Sequence, residues 1–110
     1  MAYYYYSEAI TGSANATAYG TGITSTEAEK KHLIELWVVV SARQGNYVEG
    51  WIEREKLVSV IDQVLSLPAD AYRVTIPVDV DIDIGRTFKA ALKCGGTATN
   101  IYVTYVYTLV

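Results

Sequence analysis

Apolar and polar positions alternate along most of this chain with a period of two, the signature of half-buried strands. From Leu33 to Ala42, Ile34, Leu36, Val38 and Val40 fall on one face, and Leu33, Glu35, Trp37, Val39 and Ser41 on the other. Arg43-Gln44-Gly45-Asn46 reads as a turn, and Tyr47 to Glu53 resumes the alternation with Val48 and Ile52 on one side. Together these predict a β-hairpin over residues 32–54. Lys56 to Ile61 predicts a further strand, and residues 61–67 a short helical turn ended by Pro68.

The cleanest alternation runs from Arg73 to Ile84. Val74, Ile76, Val78, Val80, Ile82 and Ile84 alternate with Thr75, Pro77, Asp79, Asp81 and Asp83. Pro77 has no N–H to donate and places this strand at an edge or a break. Gly85-Arg86 is a turn, and Phe88 to Lys93 a strand with Phe88, Ala90 and Leu92 inward. Ile101 to Val110 is substantially apolar on both faces, which predicts a central strand or one covered by another chain. Seven to eight short strands with no long amphipathic helix predict an all-β, antiparallel β-sandwich or barrel, with a jelly roll as the preferred form.

Residues 1–22 differ from the rest. Tyr3, Tyr4, Tyr5 and Tyr6 precede a stretch of small residues in which Glu8 is the one charged side chain. This segment reads as an N-terminal arm or strand, with the sandwich at 23–110. An isolated apolar strand is an aggregation hazard, so it is expected to pair, within the chain or on a neighbour.

Composition narrows the function. Of 110 residues, 46 are Val, Ile, Thr, Tyr, Trp or Phe, all suited to a pleated surface. The length accommodates one domain. One His, one Cys and one Met leave no His/Cys metal site and no cofactor expected. The net charge of -3, without a basic stripe, argues against nucleic acid. No run reaches the ~18 apolar residues of a membrane helix. The start, Met1 to Tyr6, lacks the basic and aliphatic regions of a signal peptide, so synthesis in a cytoplasm is expected.

Candidate chemistry is sparse. Asp79, Asp81 and Asp83 share one strand face, about 6.5–7 Å between neighbours. A solvated stripe that protects an edge is the plain reading; a cation site, or pairing with Arg43, Arg54 or Lys56 of a neighbour, are the alternatives. Glu49 and Glu53 flank Trp51, but a domain this small offers little cleft for a glycosidase. Nothing in the sequence supports a triad, the nucleophile elbow and phosphate loop are absent, and no enzyme is expected. The aromatic residues are the strongest remaining signal. Trp37, Trp51, Tyr102, Tyr105 and Tyr107, with Tyr3 to Tyr6, exceed what one small core holds. They are expected at an interface between copies, with an aromatic platform for carbohydrate as the competing reading.

The order of these segments resembles a known family. After the tyrosine-rich start come Leu33 to Ala42, Tyr47-Val48-Glu49-Gly50-Trp51-Ile52, Ile76-Pro77-Val78-Asp79, Gly85-Arg86-Thr87-Phe88-Lys89 and the terminal Tyr102-Val103-Thr104-Tyr105-Val106-Tyr107. This resembles the small single jelly-roll proteins of virions, of the decoration (cement) and head-fibre or spike types. The resemblance implies a structural virion component, a homotrimer or higher oligomer, with the arm touching a neighbour or a major capsid protein. It carries over no catalytic residue. Tumour-necrosis-factor-like jelly rolls share the architecture, so a carbohydrate- or receptor-binding module is the neighbouring expectation.

Overall fold

The computed structural model describes residues 2–67 and 74–110. Its strands are β1 (Tyr4–Thr11), β2 (Thr17–Tyr19), β3 (Ile23–Thr24), β4 (Lys31–Val40), β5 (Tyr47–Ile52), β6 (Glu55–Ile61), β7 (Val74–Ile82), β8 (Thr87–Lys93) and β9 (Asn100–Leu109). Among the described residues, one 3-10 turn spans Asp62–Val64. The strands form two antiparallel sheets packed as a sandwich. One is ordered β1-β9-β4-β7; the other is β2-β8-β5-β6, with β3 also on β8. The pairings are nested: β1 with β9, β2 and β3 with β8, β4 with β7, β5 with β6. A long hairpin rolled upon itself gives this nesting, and it is the topology of a jelly roll. No helix among the described residues is long and apolar enough to cross a membrane.

The core lies between the sheets. Leu36, Val38 and Val40 of β4 and Ile101, Val103 and Tyr105 of β9 face Val48 of β5 and Phe88, Ala90 and Leu92 of β8. Each fully buried large apolar side chain contributes roughly 1.5–3 kcal/mol. Gly50 faces the same layer because a Cβ there would stand 2.6 Å from Phe88 Cζ. The N-terminal segment is part of this body: β1 pairs with β9 over all eight residues, from Tyr4–Tyr107 to Thr11–Asn100.

Three expectations need correction. The hairpin over 32–54 does not form, since β4 and β5 lie in different sheets. Their connection crosses the sandwich and is fixed from a distance. The Asp62 carboxylate accepts hydrogen bonds from the Gln44, Gly45 and Asn46 N–H groups at 3.0–3.1 Å. The true hairpin is β5–β6, turning at Glu53 with φ +53°. In β4 the alternation slips. A bulge between Leu33 and Glu35 turns both Leu33 and Leu36 into the core and leaves Ile34 half-buried. Tyr105 is the third correction, described below. Pro68 and Arg73 lie outside the described residues.

Candidate functional site

The outer face of the four-stranded sheet is built from three registers. Tyr5 of β1 stands opposite Val106 of β9, which stands opposite Glu35 of β4. Ser7, Thr104 and Trp37 make the next row, and Ala9, Tyr102 and Val39 the third. The Tyr5 ring reaches across β9 to the Trp37 indole, with centroids 5.2 Å apart and planes tilted by 39°. Trp37 Nε1 donates to Glu35 Oε2 at 2.5 Å. Ser7 and Thr104 share a hydroxyl–hydroxyl bond of 2.8 Å. Tyr5 and Tyr102 are each 57% exposed. The face therefore offers aromatic area with its indole N–H already satisfied, leaving flat apolar surface rimmed by hydroxyls.

The opposite flank of the same strands holds Tyr4, Tyr6, Tyr105 and Tyr107. Tyr4 stacks on Tyr107 at 5.6 Å and Tyr6 on Tyr105 at 5.8 Å. Tyr105 corrects the interface expectation: it is 0% exposed. Between Tyr19 of β2 and Ile23 of β3, the loop leaves the Ala90 N–H of β8 without a strand partner. The Tyr105 hydroxyl accepts that N–H at 2.9 Å and donates to Glu8 Oε2 at 2.7 Å. The Glu8 carboxylate also accepts from the Thr21 and Gly22 N–H groups at 2.7 and 3.0 Å. Gly22 takes φ +75° and approaches β8 so closely that a Cβ would collide with Phe88 O. Burial, then the bond to Glu8, raises the Tyr105 pKa far above that of a free phenol. Burial, and then the charge of Glu29, raises that of Tyr107 as well.

Trp51 belongs to the other sheet. It meets Tyr19 edge to face at 6.4 Å. Lys56 Nζ sits 5.8 Å from the Trp51 centroid and Lys89 Nζ 5.0 Å from that of Tyr19. Glu49, buried on this outer face, accepts from Trp51 Nε1 at 3.2 Å and Lys56 Nζ at 3.5 Å. The sequence-predicted aromatic residues thus divide among two outer faces and one inner flank. Tyr3, which precedes β1, is exposed.

Asp79 and Asp81 grip His32. Nε2 lies 2.7 Å from Asp79 Oδ1, and Nδ1 lies 2.5 Å from Asp81 Oδ1. Both ring nitrogens can donate only in the imidazolium, so the pair of carboxylates favours the charged ring. The Asp81 hydrogen bond is the largest cause of a raised His32 pKa; partial burial opposes it, and Asp79 adds to it. Asp79 takes φ +54° at the irregularity in the β4–β7 register, and its carboxylate stays on the outer face with that of Asp81. Asp83 stands apart, its carbonyl accepting the Arg86 N–H at the following turn. No group of three or more metal-ligating side chains gathers among the described residues. Sequence reasoning missed His32, Glu8 and Tyr19 as partners. A lone charge within residues 1–22 was the available signal for Glu8; for His32, pairing 47 residues away, there was none.

No family model matches the chain, and no curated protein matches it. A solved structure titled "Crystal Structure of FLHE" aligns with 97% of this chain and 98% of its own at a TM-score of 0.53. The two sequences are 10% identical, so the likeness speaks to the fold alone.

Proposed function

We propose that this protein is a structural, self-associating β-sandwich that acts through the outer surface of its β1-β9-β4-β7 sheet rather than by catalysis. The observation that supports this reading is an outer face on which Tyr5 and Tyr102 are exposed and the half-buried Trp37 packs against Tyr5. Aromatic anchors of this kind dominate interface energetics because they bury large area at low entropic cost. The virion setting, and a major capsid protein as a further partner, rest on the sequence resemblance alone.

Sedimentation across a concentration series tests the reading. A concentration-dependent oligomer is expected, weakened at least about tenfold by Trp37→Ala with Tyr102→Ala, as truncated hot-spot residues cost 1 kcal/mol or more. A monomer at every concentration would overturn it. The second reading, a carbohydrate- or receptor-binding module, is favoured by Tyr19 and Trp51 beside Glu49, Lys56 and Lys89. It requires glycan binding that is lost in Trp51→Ala while the oligomer persists.

A further inference from the structure

An eight-residue strand at a sheet edge, straight and aromatic, presents one row of backbone N–H and C=O groups to solvent. β1 is such a strand. It pairs with β9 alone among the described strands, without a bulge, and Tyr4–Thr11 contains no proline and no basic residue. The other edges are guarded. β7 carries Pro77 and a bulge. β6 bulges at Leu57 and begins with Glu55 and Lys56. β2 has only three residues.

We infer that β1 pairs antiparallel with β1 of a second copy, about a twofold axis normal to the sheet, making one continuous eight-stranded sheet. This rests on the self-association proposed above and adds an edge contact between copies to the contact through the outer face. The partner follows from charge and symmetry. An isologous antiparallel pair requires a strand compatible with its own reverse. Tyr3 to Ser7 bear no charge, so reversal sets tyrosine or a small residue against the same. Glu8, the exception, is held inward by Tyr105, Thr21 and Gly22. An acidic partner strand would find no opposite charge on β1, and a basic one would find only the Glu8 carboxylate, already engaged inward. The rings of Tyr4, Tyr5 and Tyr6 are already packed on Tyr107, Trp37 and Tyr105, so pairing orders few side chains anew. The same axis keeps both outer faces on one side, so the aromatic surface of Tyr5 and Trp37 is doubled.

Sedimentation combined with hydrogen exchange at low and high concentration tests this on the intact chain. Association accompanied by slowed exchange of β1 amides is expected, because edge pairing alone covers them. Association with β1 exchange unchanged would overturn edge pairing and leave self-association standing. No association would overturn both. Ser7→Lys, at an exposed position, sets like charges near each other across the axis and should weaken association at least about tenfold, while Ser7→Thr keeps it. A Ser7→Lys variant that folds and associates as the parent does would also overturn the pairing.

Discussion

The two edges of the β1-β9-β4-β7 sheet solve one problem in opposite ways. β7 is blocked and fastened by the same groups. Pro77 withdraws an N–H, the bulge beside Ile34 and Asp79 breaks the row, and the carboxylates that repel another strand also hold His32 of β4. β1 is fastened from within. Its register with β9 is unbroken, and Glu8 ties it to the β2–β3 loop and to Tyr105 of the neighbouring β9. Nothing on its outer edge is spent on that anchorage. An edge can therefore be firmly held and still open, provided its anchors are side chains pointing inward.

The largest test removes that anchor. Glu8→Ala leaves the Tyr105 hydroxyl and the Thr21 and Gly22 N–H groups without their acceptor. A loss of about 2–4 kcal/mol in urea unfolding is expected, from charged hydrogen bonds lost and polar groups stranded. Tyr105→Phe strands the Ala90 N–H and should cost less, about 1–3 kcal/mol. In both variants β1 amides should exchange faster while β7 keeps its protection. Equal loosening of β7 would mean the two edges are not independently fastened.

A smaller effect is expected from opening the guarded edge. Pro77→Val with Asp81→Thr restores an N–H and removes a charge on β7, while Asp79 keeps its backbone turn. New association should appear in sedimentation, even in a Ser7→Lys background where β1 is blocked. A mixed-background protein that stays monomeric would show that the bulge alone guards this edge.

Much of this contrast was legible in advance, and the rest was hidden by distance. Alternation gave the faces of β7, apolar residues on both sides placed β9 inside its sheet, and Pro77 gave the edge. The same alternation misread β4, because a bulge leaves no local mark in Leu33-Ile34-Glu35. The hairpin over 32–54 failed for a related reason. A turn signature says that the chain reverses, and not that both strands join one sheet; Asp62, sixteen residues beyond Asn46, decides that. The burial of Tyr105 depends on a missing rung between β2 and β3 that only the fold reveals, so composition alone makes it look surplus to the core.

The finest probe is pH, acting on β7 alone. The folded-state pKa of His32 is raised above 6.5 by Asp81 and Asp79. A raised folded pKa means the charged ring is favoured by folding. Its contribution is therefore complete below the unfolded value and is lost as pH rises through the folded one. The effect is small, since the Asp79 and Asp81 side chains are 85% and 58% exposed and salt screens them. After correction for intrinsic exchange, β7 amides should lose protection across that pH window, and β1 amides should not. His32→Asn should abolish the dependence, because an amide does not titrate. The same loss in β1 would tie both edges to one titration and remove the distinction between an edge guarded by charge and an edge held from inside.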